Sequence, residues 1–415
     1  MEKITFLRTS ARKKAFNKIF LTFLILAIYR FGNGIPLYGI DQEALKKSLL
    51  QIENKNAILQ IMNMYSGSGV TNLTPFSLGI IPFINASILL DLLVALFPSL
   101  EKLQSEEGEF GRRKLMFYKK LATLLFASIQ SGLLIFYLQP YLYLTGFFNL
   151  AMIGLQLVSG SLFVVWLSNL IDKKGLGNGT SLIIFANIII GLITKNIYAS
   201  SLVDPFLTLE IAILLAMIFL ICISQSARIN IEVVSARQLA FLENYDKTLL
   251  NNNDVDIFFQ LKEAGLSIKL NQAGIFPIII ASNLLPFIGL IFSNIGINSN
   301  LINSLLYYLL IIAFNYFYTS VFWDPEKISE QLRKASVSIV NITPGKETVS
   351  YLENVVRASS IAGGIYLSLI LFSYDLIKQL LKSYLLNQIN ISSLIIAVGV
   401  AYETQRTIKS LFKNL

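Results

Sequence analysis

The chain has 415 residues, of which 54% are apolar and 14% charged, with a net charge of +9, no histidine and a single cysteine. So little charge against so much apolar side chain excludes a chain of two or three soluble domains and leaves one membrane domain. Without histidine the commonest general base, metal ligand and pH switch are missing, and Cys222 alone builds no disulfide framework, so neither an enzyme nor a metal or cofactor site is expected.

A tail over 1–18 carries Arg8, Arg12, Lys13, Lys14 and Lys18 ahead of a first apolar span at 19–40. No small-residue cleavage site follows and Arg30 interrupts the run, so a retained span is expected rather than a secretory signal. Arg30 is expected either to reach the interface or to touch another span. Further apolar runs suited to crossing a bilayer lie at 76–100, 115–138, 147–171, 181–194, 205–227, 273–292, 301–323, 355–376 and 389–407. That makes ten spans. With Arg406 counted in the C-terminal tail, 24 basic residues fall on the two tails and alternate loops and six on the other loops. This bias puts both termini on the cytoplasmic side or its stromal equivalent, as an even number of spans requires. Two halves are expected, at 19–200 and 201–408, the second with large 6–7 and 8–9 loops, and then a short tail at 409–415.

The second and seventh spans contain an internal repeat. Residues 79–87 read Gly-Ile-Ile-Pro-Phe-Ile-Asn-Ala-Ser and residues 274–282 read Gly-Ile-Phe-Pro-Ile-Ile-Ile-Ala-Ser, with six of nine identical. Each is the second helix of its half, and the two run in opposite directions, the mark of an inverted repeat. Pro82, Pro277 and Pro286 are expected to break their helices and free carbonyls that only protein or water can satisfy. The fifth span of each half is short, at 181–194 and 392–400, so spans 2, 5, 7 and 10 are expected to line a path. On residues alone that path belongs to a pore or to a secondary transporter. Asp91, inside the second span, suits either a water-filled gate or a side chain reaching the cytoplasmic interface. Glu210 is expected at the interface, and Arg112 to Lys114 with Lys119 and Lys120 read as a topology signal at the membrane surface. The glycine-rich run from Gly175 to Gly179 lacks the strand and Lys-Ser/Thr of a phosphate cradle and reads as a tight turn.

Tyr29-Arg30-Phe31-Gly32 with Ile35-Pro36, Met62 to Gly67, Glu107-Gly108-Glu109 with Gly111 to Lys114, Gly175 to Gly179 with Ser181, Asn271 with Ala273-Gly274 and Pro277, and Thr343 to Thr348 together resemble the SecY family. They occur in the family's order from the first span to the tenth. The resemblance implies an all-α membrane protein: ten transmembrane helices in two inverted five-helix halves around a central pore. It implies a protein-conducting channel that passes unfolded polypeptides and releases apolar segments sideways into lipid. Its pore ring would be Ile80, Ile84, Ile184, Ile188, Ile279 and Ile396. A plug segment near 57–75 would center on Asn63, Met64, Tyr65, Ser66, Gly67, Ser68, Gly69 and Val70, and a lateral gate would include Ile88, Asp91, Asn271 and Pro277. Arg228, Arg237 and Lys269 in the 6–7 loop and Arg333, Lys334 and Lys346 in the 8–9 loop would dock partners.

Implied partners are small SecE-like and SecG-like subunits, a SecA-type motor ATPase, the ribosome, unfolded preproteins and the lipid bilayer, with no cofactor. The chain departs from the family pattern at Tyr38, where a second proline is usual, at Asp91, where an amide is more frequent, and at Thr343, where an arginine is usual. The Ile-, Asn- and Lys-rich composition suits a reduced, AT-rich genome, so a plastid thylakoid membrane is expected, with a bacterial plasma membrane as the alternative.

Overall fold

The computed structural model describes residues 2–45, 73–105, 108–143, 146–199, 207–235, 265–282, 284–285, 300–381, 386 and 389–413. In chain order the elements are α1 (Glu2–Gly32), α2 (Ile81–Leu96), α3 (Pro98–Ser105), α4 (Gly108–Leu138), α5 (Phe147–Lys174), α6 (Gly179–Ala199) and α7 (Leu207–Ser226). There follow β1 (Arg228–Ser235), β2 (Gly265–Lys269), a helix α8 at 276–282, α9 (Asn300–Phe322), α10 (Pro325–Lys334), β3 (Val337–Ile339), α11 (Lys346–Leu381) and α12 (Ile391–Lys413). Among the described residues six helices are long and apolar enough to cross a membrane, and Ile81–Leu96 and Gly179–Gly191 are shorter apolar helices. Two compact units form, one of Met1–Ala212 with Lys382–Leu415 and one of Ile213–Leu381.

In the first unit α5 packs on α1, α4 and α6, α2 packs on α4, and α12 packs on α6. Small and hydroxylated residues allow these helices to approach, as is usual where lipid supplies no hydrophobic drive. At one end Thr22 Oγ1 accepts from Leu176 N at 2.9 Å, Asp172 Oδ1 accepts from Gly179 N at 2.7 Å, and Ser168 and Thr180 hydroxyls lie 3.0 Å apart. The Gly175–Gly179 run is thus the expected tight turn, with Gly177 in the left-handed region at φ +71°. At the other end Leu37, Ile40, Leu45, Leu73, Leu78, Leu134, Leu138, Ile153 and Leu157 form a small apolar cluster. There the Gln42 amide both donates to Leu73 O and accepts from Leu73 N.

In the second unit β1 pairs antiparallel with β2 through its first five residues and with β3 through its last three. Ile231, Ile268 and Ile339 of this sheet bury against Leu352 and Val356 of α11, flanked by Trp323, Ile328 and Leu332. No strand was expected here. The alternation of Arg228, Ile229, Asn230, Ile231, Glu232 and Val233 carried the period of two that signals one. Gly363 and Gly364 of α11 admit α9 closely, and Asn315 Nδ2 donates to Ser360 O at 2.6 Å between the two.

Some expected boundaries shift. The first helix ends at Gly32, before Ile35-Pro36, rather than at residue 40. The ninth span extends back to Lys346, because its first turns pack on the sheet rather than in lipid. Pro82 and Pro277 do not break helices: each sits in a first turn, where the N–H that proline lacks has no intrahelical acceptor. Pro286 lies outside the described residues.

Candidate functional site

The nine-residue repeat takes the same backbone form twice. Gly79 and Gly274 are both left-handed, at φ +55° and +64°, and a helix begins within two residues of each, with the repeat's proline in its first turn. Only glycine adopts that backbone freely, which explains its presence in both copies. The chain before each glycine is held in a matching way. In the first unit Gly160 of α5 lies against the turn so closely that a Cβ there would strike the Pro75 carbonyl. In the second unit a Cβ on Gly363 of α11 would come to 2.6 Å from the Leu270 carbonyl. Pro75 and Leu270 each stand four residues before the left-handed glycine of their copy. Neither clamp was legible in the sequence.

Side chains finish the job differently in the two units. Ser161 Oγ donates to Gly79 O at 3.1 Å, and the Phe76 ring stacks between Tyr29 and Phe163 at 6.0 and 5.7 Å. In the second unit buried Asn271 donates from Nδ2 to Gly274 O at 2.8 Å, so this expected gate residue holds the turn itself. Pro277 is buried beside it.

The six expected ring residues are all at most 4% exposed. That distinguishes them from isoleucines such as Ile28, Ile129 and Ile365, which are exposed. Ile80 and Ile84 stand one turn apart at the start of α2, Ile184 and Ile188 one turn apart on α6, and Ile396 on α12, which packs against α6. Ile279 is on α8 in the second unit. Ile84 and Ile279 are repeat equivalents, each five residues after its left-handed glycine.

Asp91 is paired. Lys119 Nζ of α4 donates to Asp91 Oδ1 at 2.8 Å and to Ser87 Oγ at 3.1 Å, and both charged side chains are largely buried. Lys119, expected to be part of a surface signal, is therefore a partner between helices. Ile88 is half-buried on the same helix. Glu210, expected at the interface, is buried in the first turn of α7, where the helix N-terminus favors a carboxylate. Arg30 is exposed in the last turn of α1.

Among the docking residues, Arg228 and Lys269 lie directly opposite each other on β1 and β2. Arg333 and Lys346 line one groove of about 400 Å³ between α10 and α11, together with Glu326, Glu330 and Glu353. Lys334 pairs with Glu330 at 3.0 Å on the exposed side of α10. Thr343 donates from Oγ1 to Glu347 Oε2 at 2.6 Å and accepts at its carbonyl from Thr348 Oγ1, so it braces the start of α11. Arg237 and the plug segment, Asn63 to Val70, lie outside the described residues.

The sequence model of the SecY family matches residues 74–405. The protein translocase subunit SecY of Pyropia yezoensis is 36% identical, with 95% of each chain covered, and that of Porphyra purpurea is 34% identical at the same coverage. The Synechococcus elongatus protein of that name is 32% identical over 98% of this chain and 94% of its own. Among solved structures, a protein-conducting channel superposes with a TM-score of 0.65 at 14% identity, covering 95% of this chain and 92% of that one. Sec61 from a canine ribosome–channel complex of the endoplasmic reticulum superposes at 0.61 with 15% identity and the same coverage. These likenesses establish the all-helical membrane fold of those channels, the sheet being a small addition outside the spans. The chain belongs to the SecY family.

Proposed function

We propose that the chain is the protein-conducting subunit of a Sec-type translocase, a multi-pass channel rather than an enzyme. The observation that carries this reading is the burial of Ile84 and Ile279 at equivalent positions of the repeat, each set by a clamped left-handed glycine. With Ile80, Ile184, Ile188 and Ile396 they line the constriction. Stiff β-branched side chains close against ions by excluding water, and they yield to any extended chain because they make no hydrogen bond to it. The plug, Asn63 to Val70, closes the idle channel. Apolar segments leave sideways past spans 2–3 and 7–8, with Ile88, Asp91, Asn271 and Pro277 at that exit. A transporter would draw on an intramembrane carboxylate such as Asp91, and here Lys119 neutralizes it.

The sheet face bearing Arg228 and Lys269, with Arg237, and the basic residues Arg333 and Lys346 of the α10–α11 groove with Lys334 on the exposed side of α10 receive a SecA-type motor or the ribosome, whose acidic groups or RNA phosphates suit these cations, while Glu326, Glu330 and Glu353 in the groove meet basic groups. Sec61 in a canine ribosome–channel complex and the yeast Ssh1 complex bound to the 80S ribosome share this fold. SecE-like and SecG-like subunits complete the assembly. The thylakoid membrane of a plastid is its place, in keeping with algal and cyanobacterial relatives.

The test is deletion of residues 63–70 in the purified channel reconstituted in planar bilayers. The expected result is an intermittent ion leak with preprotein translocation retained, and Ile84→Gly and Ile279→Gly added to the deletion enlarge the leak. Electrically silent bilayers would overturn the channel reading.

A further inference from the structure

Ser87 and Ser282 close the two copies of the repeat, each eight residues after its left-handed glycine. Each makes a side-chain hydrogen bond to the next helix of its own unit. In the first unit Lys119 Nζ of α4 donates to Ser87 Oγ at 3.1 Å while holding Asp91, one turn further along α2, at 2.8 Å. In the second, Ser282 Oγ and Tyr307 Oη of α9 lie 3.0 Å apart. Beside it Tyr308 Oη donates to Asp375 Oδ2 at 2.6 Å and so ties α9 onward to α11.

A serine or threonine within a membrane helix does not need such a partner, since its hydroxyl can bond a carbonyl of its own preceding turn. Thr123, Ser128, Thr319 and Ser359 all do so here. At the same repeat position in both units a side chain of the next helix bonds the serine instead, Ser87 accepting from Lys119 while its own hydroxyl donates to Asp91 Oδ2 one turn along α2 at 3.4 Å. Their partners differ in chemistry, an ammonium in one and a phenol in the other, so the position is shared and the residue bonded is not.

We infer that Ser87 with Asp91 and Lys119, and Ser282 with Tyr307, are paired bolts that make spans 2 and 3, and spans 7 and 8, move as two panels when an apolar segment is released. These serines are positioning residues. The inference rests on the channel reading above, and it adds that each exit helix carries its neighbor with it. The first bolt contains an ion pair, and charge-assisted hydrogen bonds are roughly twice as strong as neutral ones, so it is the firmer of the two.

The test places spin labels on exposed residues within each panel, at Leu89 and Leu125 and at Leu284 and Leu305, in the full chain with Cys222→Ala. Pulsed dipolar distances are recorded in the idle channel and with a polypeptide bearing an apolar segment arrested in it. The expected result is one narrow distance per panel, the same in both states. Ser282→Ala and Tyr307→Phe should each raise the separated population of the second panel about threefold, the scale of one interhelical hydrogen bond in a membrane. The double variant should do no more than either single one, since both remove the same bond. Asp91→Asn with Lys119→Met should broaden the first panel, and the exchange Asp91→Lys with Lys119→Asp should restore it.

A change of distance within either panel on arrest in the unmodified chain would overturn the inference, as would additive effects of Ser282→Ala and Tyr307→Phe or no effect at all. Translocation measured in the same vesicles separates this from failure of the channel reading. Polypeptide crossing with panels that come apart sinks only the bolts, and no crossing by the unmodified chain sinks the channel.

Discussion

Gly160→Ala and Gly363→Ala form a matched pair that tests whether the clamps on the two repeat turns carry stability. At Gly160 the added methyl would strike the Pro75 carbonyl and approach Phe76 Cδ1 at 3.2 Å, and at Gly363 it would meet the Leu270 carbonyl at 2.6 Å and Asn315 Nδ2 at 3.2 Å. A backbone carbonyl cannot rotate away as a side chain can, so helix and turn must separate. Overpacking of this kind costs about 1–3 kcal/mol. Alanine returns up to about 1 kcal/mol as a better helix former. The net loss is then up to about 2 kcal/mol, a drop of up to roughly 30-fold in the folded ratio, and about 1–3 kcal/mol relative to an alanine with open space around it. Gly132→Ala is the internal control: nothing lies within 4 Å of its Cβ, so it should be neutral or slightly stabilizing. Gly154→Ala meets the end of the Ile135 side chain at 3.3 Å and Ser131 Oγ at 4.0 Å, with no backbone in the way, and should fall between. The assay is reversible unfolding of the purified chain in mild detergent titrated with SDS, followed by circular dichroism. If Gly160→Ala and Gly363→Ala are as stable as Gly132→Ala, the close approach is not a constraint and the clamp argument fails.

Cysteines at Tyr143 and Asn341 in a Cys222→Ala chain should label from opposite faces of sealed vesicles, and labelling from one face would contradict the ten-span topology. Asp324→Ala removes the cap that accepts from the Glu326 and Lys327 amides, and should cost α10 about 1 kcal/mol, read as faster hydrogen exchange at those two amides. Unchanged exchange would show that α10 is held by its packing alone. Arg333→Glu with Lys346→Glu reverses the basic residues of the α10–α11 groove and should weaken ribosome or motor binding and flatten its salt dependence. Binding as tight as that of the unmodified chain, with the same salt dependence, would remove this groove from the docking surface.

What the sequence revealed depended on how far each signal extends along the chain. Long apolar runs are redundant over about twenty residues, so the spans were legible even where their ends moved, as at Gly32 and Lys346. The isoleucines proposed for the ring rest on the family resemblance, and Ile84 and Ile279 on the repeat as well; their burial separates them from exposed isoleucines such as Ile28, Ile129 and Ile365. A lysine near the end of a span, such as Lys119, has two destinations, and the choice depends on Asp91, 28 residues away and on another helix. The sheet leaves a weaker trace in the sequence, because β2 and β3 are five and three residues long, too short for periodicity to stand out from loop sequence.

The repeat itself shows where sequence comparison stops. Nine aligned residues contain the left-handed glycine, the proline that opens the helix, the buried isoleucine and the terminal serine, because those roles demand particular side chains or none. The clamping glycines, Gly160 and Gly363, lie far from the motif on the fourth span of each half, where a glycine among apolar residues is unremarked. Only the carbonyl pressed against each gives it meaning. The order of causes then runs from clamp to turn, from turn to the direction in which the helix starts, and from that direction to the burial of Ile84 and Ile279. A substitution at Gly160 should therefore disturb ion sealing without touching any residue of the ring. In Gly160→Ala channels that still fold, single-channel recordings should show brief openings absent from Gly132→Ala. Silent Gly160→Ala channels would mean that α2 is aimed by its packing on α4 and that the turn merely follows.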